Sequence, residues 1–272
     1  MKNILRNITR WITFVLTLLL SQTVQAQNPV GAIEGLIDVS STGTATYTIP
    51  IEVVPGTQGM QPNLAVYYNS NAGMGLLGMK WDLKGLSTIS RIPQTKYFDK
   101  NTTSVKMDNT DRFALDGQRL IMTNGTIYGG NNTQYAPERE DFSVITSYGS
   151  IGTGPEYFIV VTDEGCIMEY GRTSEARLSL VDPITIGTNV YCWMLNKITD
   201  PYNNILTFNY EHSQNYPYIK TITYYASGLQ QGYARIQFSY YGNTNAHFGS
   251  FFVGGCEIKQ SQVLNTITAP IR

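Results

Sequence analysis

From Ala45 onward the sequence repeats one local pattern, and that pattern leaves little room for helices. A run of alternating apolar and polar residues enters a short turn rich in Asp, Asn or Gly, and a second alternating run leaves it. The stretches "RFALDGQRLIMTNGTIYG", "YFIVVTDEGCIMEYG", "YCWMLNKITDPYNNILTFNY" and "YIKTITYYASGLQQGYARIQFSYYG" all read this way. A period of two sends successive side chains to opposite faces of an extended chain, whereas an amphipathic helix needs apolar residues three and four apart. Asp and Asn tolerate the left-handed backbone region and Gly favours it, so "DEG" and "DPYNN" are predicted hairpin turns. The best helical candidate, "EARLSLV", is short and runs straight into Asp182-Pro183. The expected fold is all-β: an extended antiparallel sheet of successive hairpins. The units recur loosely enough to leave a sandwich or barrel open as well.

The composition agrees. Only 14% of residues are charged, against 19 Tyr and 25 Gly; aromatic rings suit a half-buried pleated surface and glycine suits tight turns. Lys and Arg number 19 and Asp and Glu 20, without long runs of one sign, which argues against nucleic acid or an anionic membrane as partner. Lys2, Arg6 and Arg10, then "WITFVLTLLL", then "VQA" before Gln27 have the order of a cleavable export signal. The apolar core is too short to span a bilayer, and Gln27 rather than Cys after the cut argues against a lipid anchor. The expected organisation is a signal over residues 1–26, a polar lead over 27–42 and one β-hairpin module over 43–272, with the protein outside the cytoplasm: extracellular, on the cell surface or periplasmic.

In "NSNAGMGLLGMKWDL" Gly73, Gly75 and Gly78 have the spacing of a dinucleotide-binding turn. That chemistry needs a buried strand before the glycines and a helix after them, whose first amides meet the pyrophosphate. Here Leu64, Val66 and Tyr68 alternate with their neighbours, and Leu77, Met79, Trp81 and Leu83 keep the period of two beyond the glycines. Asp99 lies where a ribose-binding acid would, but in the turn-like "YFDKNTT". The glycines are therefore read as turn and bulge residues, and no cofactor is expected. Upstream, Pro50 in "TATYTIPIEVVPG" predicts a strand that is at an edge or bends there. The cluster "PGTQGMQPN" predicts a loop before the next strand.

The stretch "TATYTIPIEVVPGTQGMQPNLAVYYNSNAGMGLLGMKWDLKGLSTISR" resembles the opening module of SpvB-type proteins, which also begins the B component of insecticidal toxin complexes and related Rhs/YD-repeat proteins. "DRFALDGQRLI", "DEGCIMEYG", "WMLNKITDPYNNILTFNY" and "YIKTITYY" follow in the same family's order. The resemblance implies a segment of a large shell of spiralling hairpins that encloses a toxic or effector polypeptide. Its partners would be the rest of that shell and the enclosed polypeptide. Pro50, Gly59, Pro62, Tyr68, Gly73, Gly75, Gly78, Trp81, Gly85, Arg91, Asp116, Gly117 and Arg119 would be framework residues. Two departures stand out: Met79-Lys80 replaces the family's frequent Trp-Gly, and toxin-complex B components usually lack an export signal.

The residues offer little chemistry of their own. Some relatives carry an ADP-ribosyltransferase in a separate C-terminal region, which nothing here resembles. His212 and His247 sit in loop-like contexts without a nucleophile elbow. Glu138, Glu140 and Asp141 in "PEREDF" read as a solvated strand entry. Tyr224, Tyr225, Tyr240 and Tyr241 are expected to pack across strands; as sugar-stacking residues they give the alternative of a surface carbohydrate-binding or adhesin module. Cys166, Cys192 and Cys256 lack metal spacing, and one bridge plus a buried thiol is one arrangement among several. The expected protein has no catalytic and no metal site. Its last stretch, "GGCEIKQSQVLNTITAPIR", reads as a strand without a partner, the mark of an incomplete unit.

Overall fold

The computed structural model describes residues 35–181, 188–226, 232–242 and 249–269. The expected export signal and the first part of the polar lead lie outside them. Among the described residues no helix is long and apolar enough to cross a membrane.

The first sheet contains β1 (Leu36–Val39), β2 (Ala45–Ile51), β3 (Leu64–Asn69), β4 (Met74–Gly75), β5 (Gly78–Met79) and β6 (Trp81–Lys84), in the order β1-β2-β3-β6-β5-β4. The polar lead therefore supplies a strand of its own. Pro50 pairs with Ala65 of β3, but β1 reaches only as far as Thr48 on the other side. A residue without an amide proton thus falls where β2 is locally an edge.

The large sheet begins with β7 (Thr88–Ile92) and continues, after the single helical turn α1 (Lys96–Asp99), through β8 (Arg112–Leu115), β9 (Gln118–Asn124), β10 (Thr133–Pro137), β11 (Val144–Tyr148), β12 (Tyr157–Val161) and β13 (Ile167–Tyr170). Next come β14 (Arg177–Val181), β15 (Thr188–Thr199), β16 (Ile205–Ser213), β17 (Tyr216–Tyr225) and β18 (Tyr233–Gly242). A separate hairpin of β19 (Ser250–Val253) and β20 (Cys256–Lys259) precedes β21 (Gln262–Thr268), which pairs with β18. Every pairing is antiparallel. "EARLSLV" is not helical beyond a short 3-10 turn, Ser174–Ala176; Leu178 and Leu180 are buried on either side of Ser179, and the segment is β14.

Strand β15 organises the whole. Cys192 and Trp193 pair with both β14 and β7, so those two flank β15 on opposite edges. Lys197 and Thr199 pair with both β13 and β16 in the same way. One edge of β15 thus holds β13 and β14 in succession, and the other holds β7 and β16. Because β7 through β13 are also paired in sequence, the β13–β15 pairing closes a ring of β7, β8, β9, β10, β11, β12, β13 and β15. From its far edge β16, β17, β18 and β21 extend as an open sheet.

The ring is filled with side chains. Phe113, Tyr135, Phe158 and Trp193 come from four of its strands and are each at most 2% exposed. Their rings meet edge to face, with Phe158 and Trp193 at 5.0 Å and Phe113 and Trp193 at 5.4 Å, the geometry that the aromatic quadrupole favours. The open sheet has two distinct faces. Leu206, Phe208, Ile222, Ala234 and Ile236 are buried, while Asn209, Arg235 and Gln237 alternate with them into solvent, the signature of a sheet with one solvated side. The predicted turns are present: Asp116 and Gly117, with φ of 48° and 83°, form the two-residue loop between β8 and β9.

Candidate functional site

The glycine motif builds a small hairpin. Met74 pairs with Met79 and Gly75 with Gly78, and no helix follows. Gly78 has φ of +112°, a conformation that disfavours a side chain. Gly75 has no positive φ; it is required because a Cβ there would run into the Trp81 carbonyl and the Asp82 side chain. Trp81 pairs with Tyr68, with rings 5.1 Å apart. The turn is held from the far end of the chain: Gln260 Nε2 donates to Gly75 O at 2.8 Å, and the Leu264 amide donates to Leu76 O at 2.7 Å. The amides that would have to meet a pyrophosphate are used inside the hairpin: Leu76 N–H donates to Asp82 Oδ1 at 3.1 Å and Leu77 N–H to Trp81 O at 3.3 Å. Gly85, with φ of +102°, brings its Cα against Asn63 O, where a Cβ could not fit.

Arg91 and its partner Asp111 are deeply enclosed charges, each 2% exposed. From β7 Arg91 donates through Nε to Val190 O at 2.7 Å, through Nη1 to Asp108 O at 2.7 Å and Asp111 Oδ2 at 3.2 Å, and through Nη2 to Thr153 Oγ1 at 3.3 Å. It also faces the Phe113 and Trp193 rings at 5.8 and 5.9 Å. Burial draws its pKa below the ordinary arginine value, with the Asp111 charge and hydrogen bond opposing. Burial likewise pushes Asp111 above the usual carboxylate range, against the Lys106 amide and Arg91. Both shifts reflect what it costs to hold charge away from water.

Arg119 forms a second node with Asp99, which also accepts from Arg112 Nε at 2.7 Å and the Thr95 amide at 2.9 Å. The acid that stood where a ribose ligand would be tethers α1 to β8 and β9 instead. A third carboxylate, Asp116, accepts from Ser87 Oγ at 2.6 Å and the Thr88 amide at 2.8 Å, locking the β8–β9 turn to the start of β7. Pro62 is buried in the loop before β3, and Gly59 there has φ of +81°.

The remaining candidates are dispersed. His212 lies on β16, not in a loop, and its Nε2 sits 3.1 Å from Glu175 O; His247 lies outside the described residues. Glu138, Glu140 and Asp141 follow the end of β10, where Glu140 accepts from the Phe142 amide and Asp141 from the Ser143 amide, shaping the turn into β11. Among the described residues no group of three or more His, Cys, Asp or Glu is placed to hold a metal. Tyr224 and Tyr240 point inward and donate to Val54 O and Ile219 O, each at 2.7 Å, whereas Tyr225 and Tyr241 are 58% and 64% exposed. The three cysteines are thiols. Cys192 is buried and its pKa is pushed up to about 12 by loss of solvent; Cys256 Sγ faces the Val181 carbonyl at 3.5 Å. Asp111, Arg112 and Gln260 carried no sequence signal, because their partners depend on how distant strands are brought together.

Residues 39–263 match the family model described as SpvB, Salmonella virulence plasmid 65kDa B protein. The chain belongs to the SpvB family. Over 190 residues it is 23% identical to the mono(ADP-ribosyl)transferase SpvB of Salmonella typhimurium and of Salmonella dublin, covering 62% of this chain and 30% of each relative. The chain thus spans about a third of the length of those relatives or less. Among solved structures, this SpvB-family fold superposes on TcdB2-TccC3 with a TM-score of 0.63 at 18% identity, over 87% of this chain and 14% of that one. The Photorhabdus luminescens Tc holotoxin pore gives 0.63 at 18% identity, over 90% and 14%. The N-terminal domain of the effector protein SpvB from Salmonella typhimurium strain LT2 gives 0.57 at 17% identity, over 80% of this chain and 86% of that domain. At such identities the likeness shows the fold: the antiparallel all-β architecture of the SpvB N-terminal domain and of part of the toxin-complex chain.

Proposed function

We propose that residues 43–272 are a non-catalytic wall segment of a secreted β-shell, related to those of toxin-complex and Rhs/YD-repeat proteins, that encloses or presents a toxin or effector polypeptide. The observation that carries this reading is one of proportion: 87% of this chain superposes on only 14% of the TcdB2-TccC3 chain, where the same fold is a small part of a much larger polypeptide. The use of the buried charges supports it. Arg91, Asp99, Asp111 and Arg119 are spent on tying loops and strands together, as a wall requires. The motif residues from Pro50 to Arg119 then serve as its framework. Residues 1–26 supply export, and the partners are the remainder of the shell and its enclosed polypeptide.

The test is limited proteolysis of the full secreted product, isolated from the cells that make it, before and after acid disruption. A shell yields an internal polypeptide that resists protease until the β-structure is disrupted. Digestion of all other segments at the same rate before and after disruption would overturn the reading. A glycan array separates the adhesin alternative: specific retention that is lost in both Tyr225→Ala and Tyr241→Ala would replace a wall with a carbohydrate-binding surface.

A further inference from the structure

The hairpin of β17 and β18 opens into a cleft. Its pairing runs from Tyr225 with Tyr233 to Thr221 with Gln237 and stops there, although β17 reaches back to Tyr216 and β18 on to Gly242. Past that point each strand stays in its other ladder, β17 with β16 and β18 with β21. Two irregularities lie at this level, one in β17 and one in the neighbouring β21. Lys220 is an extra residue between Thr221, paired with Asn209, and Ile219, paired with Tyr210. Asn265 is an extra residue between Thr266, paired with Ser239, and Leu264, paired with Tyr240. An extra residue bends its strand and increases the local twist. Among the described residues, segments 216–220 and 238–242 face each other without a ladder.

Two tyrosines brace the gap. Tyr240 donates to Ile219 O at 2.7 Å, and Tyr218 Oη accepts from the Ser261 and Gln262 amides at 2.8 and 3.0 Å. Their rings are 4.9 Å apart. The cleft has a volume of about 600 Å³ and is lined by Thr221, Gln237, Ser239, Gln262 and Thr268 beside the tyrosines. Lys220 and Glu211 at its rim pair with each other, and His212 lines it beside them.

We propose that this cleft binds an extended, uncharged peptide segment, taken up edgewise as an added strand. Apart from Ile219 O, which Tyr240 occupies, the facing strand edges present backbone groups at the spacing of an extended chain. The amide and hydroxyl side chains match its polar side chains. An anionic ligand would have to displace Glu211 from Lys220. A sugar would need an exposed ring face, and Tyr218 is 2% exposed. The inference concerns this chain alone and holds whether or not it is part of a shell.

The probe is a fluorescein-labelled, end-capped peptide of about seven residues alternating Thr and Val, the length of an ordinary strand, titrated with the whole chain by fluorescence polarisation. Saturable binding is expected, weakened about tenfold or more when alternate peptide amides are N-methylated, because the backbone carries the recognition. Ser239→Trp, which fills the cleft mouth, should abolish binding with an unchanged circular dichroism spectrum, and Lys220→Ala should leave it intact. Absence of saturable binding, equal binding of the N-methylated peptide, or binding that survives in a folded Ser239→Trp would each overturn the proposal.

Discussion

Arg91 and Asp111 are joined at 3.2 Å with each side chain only 1% exposed, and this pair ties the start of the closed ring to the loops that cover it. From β7, Arg91 also reaches Asp108 O, Val190 O and Thr153 Oγ1. Removing one partner of a buried pair strands the other charge away from water. Asp111→Ala and Arg91→Met should therefore each lower stability by about 3–5 kcal/mol. The double variant should lose less than the sum of the two. Urea denaturation checks both statements, and single-variant losses below about 1 kcal/mol would mean that the pair does not hold the ring.

The Asp99 node predicts acid sensitivity. Burial works against its carboxylate, but the Thr95 amide, the Arg112 hydrogen bond and the charges of Arg112 and Arg119 together outweigh burial and hold its pKa below the usual range. A carboxyl depressed in the folded state contributes fully above its unfolded value of about 3.9 and loses that contribution as pH falls through the folded pKa. The melting temperature of the native chain should thus drop below about pH 4, and Asp99→Asn should flatten that limb while lowering stability near neutrality. An unchanged acid limb in Asp99→Asn would assign the sensitivity to other carboxylates.

Three glycines of one motif separate two physical reasons for glycine from the absence of one. Gly73→Ala meets open space and should be nearly neutral. Gly78→Ala also meets open space but keeps a φ of +112°, and should cost about 1 kcal/mol. Gly75→Ala drives a Cβ into the Trp81 carbonyl and should cost the most, about 1–3 kcal/mol. None of the three should change calorimetric titrations with NAD or ATP, for which the native chain is expected to show no heat of binding. Micromolar nucleotide affinity lost in Gly75→Ala would revive the nucleotide-binding reading.

The legible parts of this fold were those fixed by neighbours in sequence. Asp116-Gly117 and the "DEG" and "DPYNN" turns announced their hairpins, because positive φ is a local demand and few residues meet it. The alternation in β16 and β18 gave their buried faces for the same reason. "EARLSLV" was ambiguous because seven residues hold too few periods to separate a helix from a strand, and pairing with β15 decided the outcome. Closure of the ring left no mark at all: β13 meets β15 through contacts that neither strand encodes alone. The reason for Gly75 was also hidden, since the obstructing carbonyl belongs to Trp81 on the neighbouring strand, and so was the Asp99 node, whose arginines lie on β8 and β9.

Strand β21 carries the last prediction. Gln260 and Leu264 fasten its start to the glycine turn at Gly75 and Leu76, but along Asn265–Thr268 its outer edge has no ladder partner among the described residues. That stretch contains neither a charge nor a proline, the usual protections of an open edge. The purified chain should therefore self-associate as its concentration rises, and Thr266→Lys should shift the onset to higher concentration. Gln260→Ala should loosen the strand and speed trimming of the C-terminal residues in limited proteolysis. Association untouched by Thr266→Lys would move the contact to β1, where Leu36, Ile37 and Val39 are more than half exposed. A monomer at every concentration by light scattering, with a protease-resistant C-terminal strand, would show that the edge is protected in solution and would remove its support for a continuing sheet.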